Sequence, residues 1–170
     1  MTELPATLEG PPPGALTTPL WWEDRALLRP EEAARRDRVM RAYFLGKDWD
    51  RNEEFQLKRR LVCESHRLLP AFPFLVDDEW EVVSGMTNLG RGDLLFTDGA
   101  CRFAVVEVKF IDVGRTGHTA RVKRTRSRGL VIEQARTYAR AMVERLGQPG
   151  LVRAFTWTNE DPDGPVEIQL

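Results

Sequence analysis

The segment Phe103-Ala104-Val105-Val106-Glu107-Val108-Lys109-Phe110 carries two charges where a chain tolerates them least. Side chains alternate across a strand, so Phe103, Val105, Glu107 and Lys109 share one face and Ala104, Val106, Val108 and Phe110 the other. Both faces are apolar along most of their length, the pattern of a central strand buried on both sides. An exposed ion pair on an edge strand would call for polar residues at 103 and 105, where the chain has Phe and Val. An unpaired buried ion costs several kcal/mol, so each charge needs compensation. A bound cation would compensate Glu107, and a substrate phosphate would compensate Lys109. Asp93 follows Gly90-Arg91-Gly92 at the start of the preceding strand, which the turn Thr97-Asp98-Gly99-Ala100 pairs with this one as a hairpin. Counting back through that turn brings Asp93 near Glu107. Two carboxylates and the Val108 carbonyl make a hard oxygen site suited to Mg²⁺ or Mn²⁺. With Lys109 holding a water or neutralising a phosphate, such parts serve metal-assisted attack on a phosphodiester.

The elements that must position these residues are legible as patterns. Pro30-Glu31-Glu32 starts a helix over about 31–45, with Val39, Tyr43 and Phe44 as its apolar side and Gly46 at its end. Its arginines at 35, 36, 38 and 41 read as a solvated face. A second helix from about Asn52 to Leu69 has Phe55, Val62 and Leu69 spaced seven apart. Pro70 and Pro73 close it. Strands are expected at about Glu79–Ser84, Asp93–Thr97 and Arg102–Phe110, then a helix from Leu130 to Leu146, then strands Leu151–Thr158 and Val166–Leu170. The expected fold class is α/β: a central mixed sheet flanked by helices, in the order α-β-β-β-α-β plus a C-terminal hairpin strand. Residues 1–30 hold six of the eleven prolines and read as an extended arm before a single domain over 31–170. Trp21 and Trp22 anchor the arm or offer it to a partner.

Gly92-Asp93, thirteen residues, then Glu107-Val108-Lys109 resembles the core motif of the PD-(D/E)xK nuclease superfamily. The element order after Asn52 resembles its restriction-endonuclease-like core. In the following helix, Gln134-Ala135-Arg136-Thr137-Tyr138 resembles the Q-x-x-x-Y signature of RecB-like exonucleases. The resemblance covers about residues 52–158. It implies that Asp93 and Glu107 bind the metal with Val108, that Lys109 is catalytic, and that Gln134 positions substrate or the lysine. Tyr138 would contact DNA or pack beneath the site. A glutamate from the first core helix usually joins such sites, and Glu54 falls inside the arc of Leu61, Leu68 and Leu69, with Glu64 at its margin. The chain departs from the pattern in three respects. No histidine lies early in that helix, where His66 near the far end reads as structural. Two cysteines, Cys63 and Cys101, exclude the iron–sulfur subgroup. Gly92 replaces the proline before the aspartate. The branch therefore stays open between exonuclease-like and resolvase-like.

From Asp112 to Arg128 the chain carries six Lys/Arg and one acid, a net +5 against −6 for the remainder. Gly, Thr and Ser suggest a mobile basic loop leaving the strand of Glu107 and Lys109. Beside such a site, Arg121, Lys123, Arg124, Arg126 and Arg128 would grip backbone phosphates without reading sequence. The alternative is an ordinary solvated loop. The 170 residues carry a net charge of −1, which excludes a globally basic nucleic-acid binder. No apolar run is long enough to span a bilayer, so no membrane partner is expected. The two thiols fit a reducing intracellular compartment, whether cytoplasm, nucleus or organelle. Of 25 basic residues 21 are Arg, a skew that reads as coding bias rather than chemistry. The expected activity is a Mg²⁺/Mn²⁺-dependent deoxyribonuclease acting exonuclease-like on single-stranded, duplex-end or branched DNA. The alternatives are a structure-specific endonuclease or junction resolvase, or a non-cutting nucleic-acid-binding or partner-dependent subunit, with a homodimer or a partner docked through the arm.

Overall fold

The computed structural model describes residues 28–47, 52–82, 88 and 90–170. Trp21, Trp22 and nearly all of the expected arm lie outside the described residues, as does Ser84. The elements are α1 (Pro30–Gly46), α2 (Glu53–Leu68), β1 (Phe74–Glu81), β2 (Arg91–Thr97), β3 (Phe103–Lys109), α3 (His118–Leu146), β4 (Val152–Thr158) and β5 (Val166–Ile168). They form an α/β structure around one five-stranded mixed sheet in the order β1-β2-β3-β4-β5. The first three strands run as an antiparallel meander, β3 and β4 are parallel, and β5 returns antiparallel. A parallel neighbour needs a crossover, and α3 supplies it.

The central-strand reading of β3 holds: residues 103–108 are all buried. Phe103 and Val105 pack in one core with Ala135, Ala139, Met142 and Leu146 of α3. Ala104, Val106 and Val108 pack in the other with Phe55, Leu61 and Val62 of α2. Helix α2 matches its expected span, with Asn52 Oδ1 accepting from Phe55 N at 3.0 Å as its N-cap.

Two boundaries differ from expectation. Strand β1 begins at Phe74 rather than near Glu79, because Asp77, Asp78 and Glu79 break the apolar pattern that marks a strand in sequence. Helix α3 begins at His118 rather than near Leu130, so most of the expected basic loop is helical. Residues 118–128 contain no proline and five Arg or Lys, good helix formers that extend the helix once packing of the later turns has nucleated it. Gly129 inside α3 costs only about 1 kcal/mol relative to Ala.

Helix α1 lies along β1, and here the solvated-arginine reading fails for Arg41. Buried Asp37 accepts the Leu75 amide at 2.8 Å and the Arg41 Nε at 2.7 Å. Arg41 also donates to Ser65 Oγ at 2.7 Å, to the Pro73 carbonyl at 2.9 Å and to the Val62 carbonyl. One buried Asp–Arg pair thus ties α1, α2 and β1 together, satisfying backbone groups that the sheet edge leaves over. The helix turns Ala33, Asp37, Met40 and Phe44 inward, while Val39 and Tyr43 are half-buried.

Candidate functional site

The regular pairing of β2 with β3 stops at Leu94↔Val106. Beyond it, side chains take over the work of the ladder. The Asp93 amide donates to Glu107 Oε1 at 2.9 Å, and the Val108 amide donates to Asp93 Oδ2 at 2.8 Å. Each carboxylate is therefore locked by the other strand's backbone, and Asp93 and Glu107 are brought together as their spacing predicts. Glu107 is 3 % exposed. Burial pushes its pKa up to about 8, with the neighbouring Asp93 charge adding to the shift. Burial also raises Asp93, against the pull of Lys58.

Lys109 does not pair with Glu107. Its Nζ donates to Glu54 Oε2 at 2.9 Å, and the same oxygen lies 3.4 Å from the Phe110 amide. Glu54 of α2 is thus the helix glutamate that reaches this end of the sheet. Glu64 instead pairs with Arg67 and with Arg60 on the surface. The chain leaving β3 is held from the other side by Asn159, which accepts from Ile111 N at 2.7 Å and donates to its carbonyl at 3.0 Å.

Sequence reasoning missed Lys58. This side chain is 7 % exposed, and its Nζ lies 2.7 Å from Asp93 Oδ1, 2.5 Å from Glu79 Oε1 and 3.8 Å from Asp78 Oδ1. Burial works against its charge, but Asp93, Glu79 and Asp78 outweigh that and hold its pKa above the usual lysine value. Asp78 is pushed up to about 6 by burial. A signal for Lys58 existed: it sits three residues from both Phe55 and Leu61, on the buried stripe of α2.

Glycines shape the opposite wall. A Cβ on Gly92 would meet Trp80 Nε1 at 2.3 Å, and one on Gly90, whose φ is +106°, would meet the Tyr138 hydroxyl at 2.8 Å. The indole of Trp80 occupies the space that a side chain at 92 would take, which accounts for the glycine before Asp93. Tyr138 packs edge-on to Trp80, with ring centroids 6.4 Å apart, and Gln134 hydrogen-bonds its hydroxyl one helical turn away. Burial and the Glu107 charge raise the Tyr138 pKa. Tyr138 is therefore a packing residue with a polar tip beside the carboxylates, while Gln134 is exposed and reaches Tyr138 rather than Lys109.

The five basic residues divide. Arg128 is held by Glu160 through two bonds of 2.6 and 2.7 Å. Arg124 donates to the Arg115 carbonyl at 2.7 Å. Arg121, Lys123 and Arg126 are exposed.

Asp93, Glu107 and the Val108 carbonyl are hard oxygen donors of the kind Mg²⁺ takes with its waters, one or two carboxylates sufficing. Among the described residues no three carboxylate, histidine or cysteine side chains converge to hold a metal ion. The electrostatics nevertheless favour a cation: three buried or half-buried carboxylates, Asp78, Asp93 and Glu107, and exposed Glu79 surround the Lys58 ammonium, and the three buried ones have raised pKa values. Among the described residues no helix is long and apolar enough to cross a membrane. The chain matches no protein-family model, no curated protein and no solved structure.

Proposed function

We propose that this protein is a metal-dependent phosphodiesterase that cuts DNA, with a core like that of the PD-(D/E)xK nucleases. The observation that carries the reading is the locked pair Asp93–Glu107 at the point where β2 and β3 part, with Lys109 two residues further along β3. The meander followed by a helical crossover to a parallel β4 supports the same fold family. Asp93, Glu107 and the Val108 carbonyl would hold Mg²⁺ or Mn²⁺, which when bound supplies Lewis-acid stabilisation of charge on the phosphate. Glu54 orients the Lys109 ammonium, which is half-exposed and so able to meet a phosphate oxygen or orient a water. Trp80 and Tyr138 wall one side of the carboxylates. The basic start of α3 supplies sequence-independent phosphate contacts.

The second reading, a non-cutting DNA-binding module of the same fold, draws on Lys58, whose ammonium already neutralises Asp93. End-labelled single-stranded, duplex and branched DNA, incubated with Mg²⁺, Mn²⁺ or EDTA, separates the two. Cleavage is expected to need metal and to fall at least about a hundredfold in Lys109→Ala, a loss typical of removing a charge-stabilising group. The variant should fold normally, since a half-exposed pair contributes no more than about 1 kcal/mol. Metal-independent cleavage, or undiminished activity in Lys109→Ala, would refute the assignment. A folded protein that retains these substrates in a gel shift but cuts none of them would favour the second reading.

A further inference from the structure

We infer that the cavity between the end of β3 and the first three turns of α3 is a nucleotide site, holding the phosphate and sugar that adjoin the bond to be cut. The inference rests on the phosphodiesterase reading for its place in the reaction, but its binding chemistry stands on the cavity itself. The space is about 310 Å³, and its lining includes Lys109, Phe110, Arg115, Lys123, Arg124 and Ser127. That volume lies at the lower end of small-molecule pockets, roughly 300–1,000 Å³, and so suits a single small ligand.

The charge of this cavity breaks a pattern. In the second half of α3 the inward stripe is apolar: Val131, Ala135, Ala139, Met142 and Leu146 are buried against the sheet. Followed back toward the N-terminus, the same stripe passes through Ser127, Arg124, Lys123 and Ala120, at helical spacings of three and four. All four line the cavity. Where the helix should turn apolar groups to the sheet, the cavity is lined instead by half-buried Arg124, by Lys123 at its exposed rim and by two small residues.

Among the described residues neither Lys123 nor Arg124 lies within ion-pair distance of a carboxylate; Arg124 donates only to the Arg115 carbonyl, and Glu160 acts on it from further away. Arg115 pairs with Asp112, and Lys109 with Glu54. The opposite wall is Phe110 and buried Ile111, fixed by Glu54 and Asn159. Cations on one side and an aromatic-aliphatic wall on the other match a phosphate joined to a sugar or base rather than a bare anion. Lys109 lines this cavity and follows Glu107 by two residues on β3, so a phosphate held here would lie one strand step from one at Asp93 and Glu107.

The test uses the full chain in EDTA at low salt, so that metal-dependent cleavage plays no part. Binding of dTMP, inorganic phosphate and thymidine is measured by calorimetry. Expected is dTMP binding clearly tighter than phosphate, with none for thymidine. Lys123→Ala/Arg124→Ala should weaken dTMP at least tenfold, and Ser127→Phe, which fills the cavity without removing a charge, should do likewise. Arg140→Ala/Arg145→Ala, which removes the same charge at exposed positions in the second half of α3 outside the lining, should change it less than threefold. Equal loss in the two arginine-bearing pairs, unchanged binding in Ser127→Phe, phosphate binding as tight as dTMP, or no dTMP binding at all would overturn the inference. A positive result beside a failed cleavage assay would leave the nucleotide site standing without the nuclease.

Discussion

Replacing Lys58 by Met tests the electrostatic account of the site most directly. Met keeps the length and apolar stem of the side chain and removes only the ammonium. The loss leaves Asp93, Glu79 and Asp78 facing one another with no cation within 4 Å among the described residues, since Nζ is the charge that lies within 4 Å of all three. Removing one partner of a buried pair costs about 3–5 kcal/mol. For a chain of this length each kcal/mol moves the melting temperature by about 2–4 °C, so a fall of about 6–20 °C is expected at pH 8. Acid relieves the same repulsion by protonating Asp93 and Asp78, whose pKa values are already raised, so the deficit should shrink toward pH 5.5. A divalent cation draws on the Asp93 oxygens that Lys58 now occupies. Mn²⁺ should therefore raise the melting temperature of Lys58→Met by more than that of the wild type. Thermal melts of both proteins at two pH values, with EDTA or Mn²⁺, read all three effects. A variant within about 2 °C of wild type at pH 8, or one that Mn²⁺ stabilises no more than wild type, would refute the reasoning.

Gly92→Ala should destabilise by about 3 kcal/mol, the upper end of ordinary overpacking, because the new Cβ would stand 2.3 Å from Trp80 Nε1 and that indole is itself buried against Tyr138. Urea unfolding measures it, and a loss below about 1 kcal/mol would mean that the indole moves freely. Asp77 gives a stability–pH prediction away from Lys58. Burial raises its folded pKa to about 7, from 3.8 in the unfolded chain. Between those values the native state keeps a proton that the unfolded state has lost, so stability falls as pH rises. Asp77→Asn, which can still accept the Asp78 amide, should raise the melting temperature at pH 8 and leave it nearly unchanged at pH 4.5, the difference corresponding to about 2–4 kcal/mol. An equal effect at both pH values would show that Asp77 is ionised in the native protein.

The parts of this protein that sequence determines are those written in local periodicity. Helix α2 and strand β3 come from the spacing of apolar residues; Glu107 stands out as a charge on an otherwise apolar strand, Asp93 by its place in the hairpin, and Glu54 as the helix glutamate that the family resemblance calls for. The same criterion applied to α2 singles out Lys58, a charge on a buried stripe. Composition points the same way. Against an arginine-rich background the chain has four lysines: Lys47 and Lys58 line a cavity of about 330 Å³ on the α1–α2 side, and Lys109 and Lys123 line the cavity beside α3. Other features had no local signature. The acids of β1 hide a strand because they face Lys58 and Arg36 from elements distant in sequence. The first turns of α3 look like a loop because their inward face meets a cavity instead of a core, so the apolar stripe that announces a helix is missing there. Arg41 reads as surface until Asp37, Ser65 and Pro73 surround it. A charge's partner is chosen across the fold, by whichever element the packing brings within a few ångströms, so sequence can show that a buried charge needs compensation but only the tertiary structure decides what supplies it.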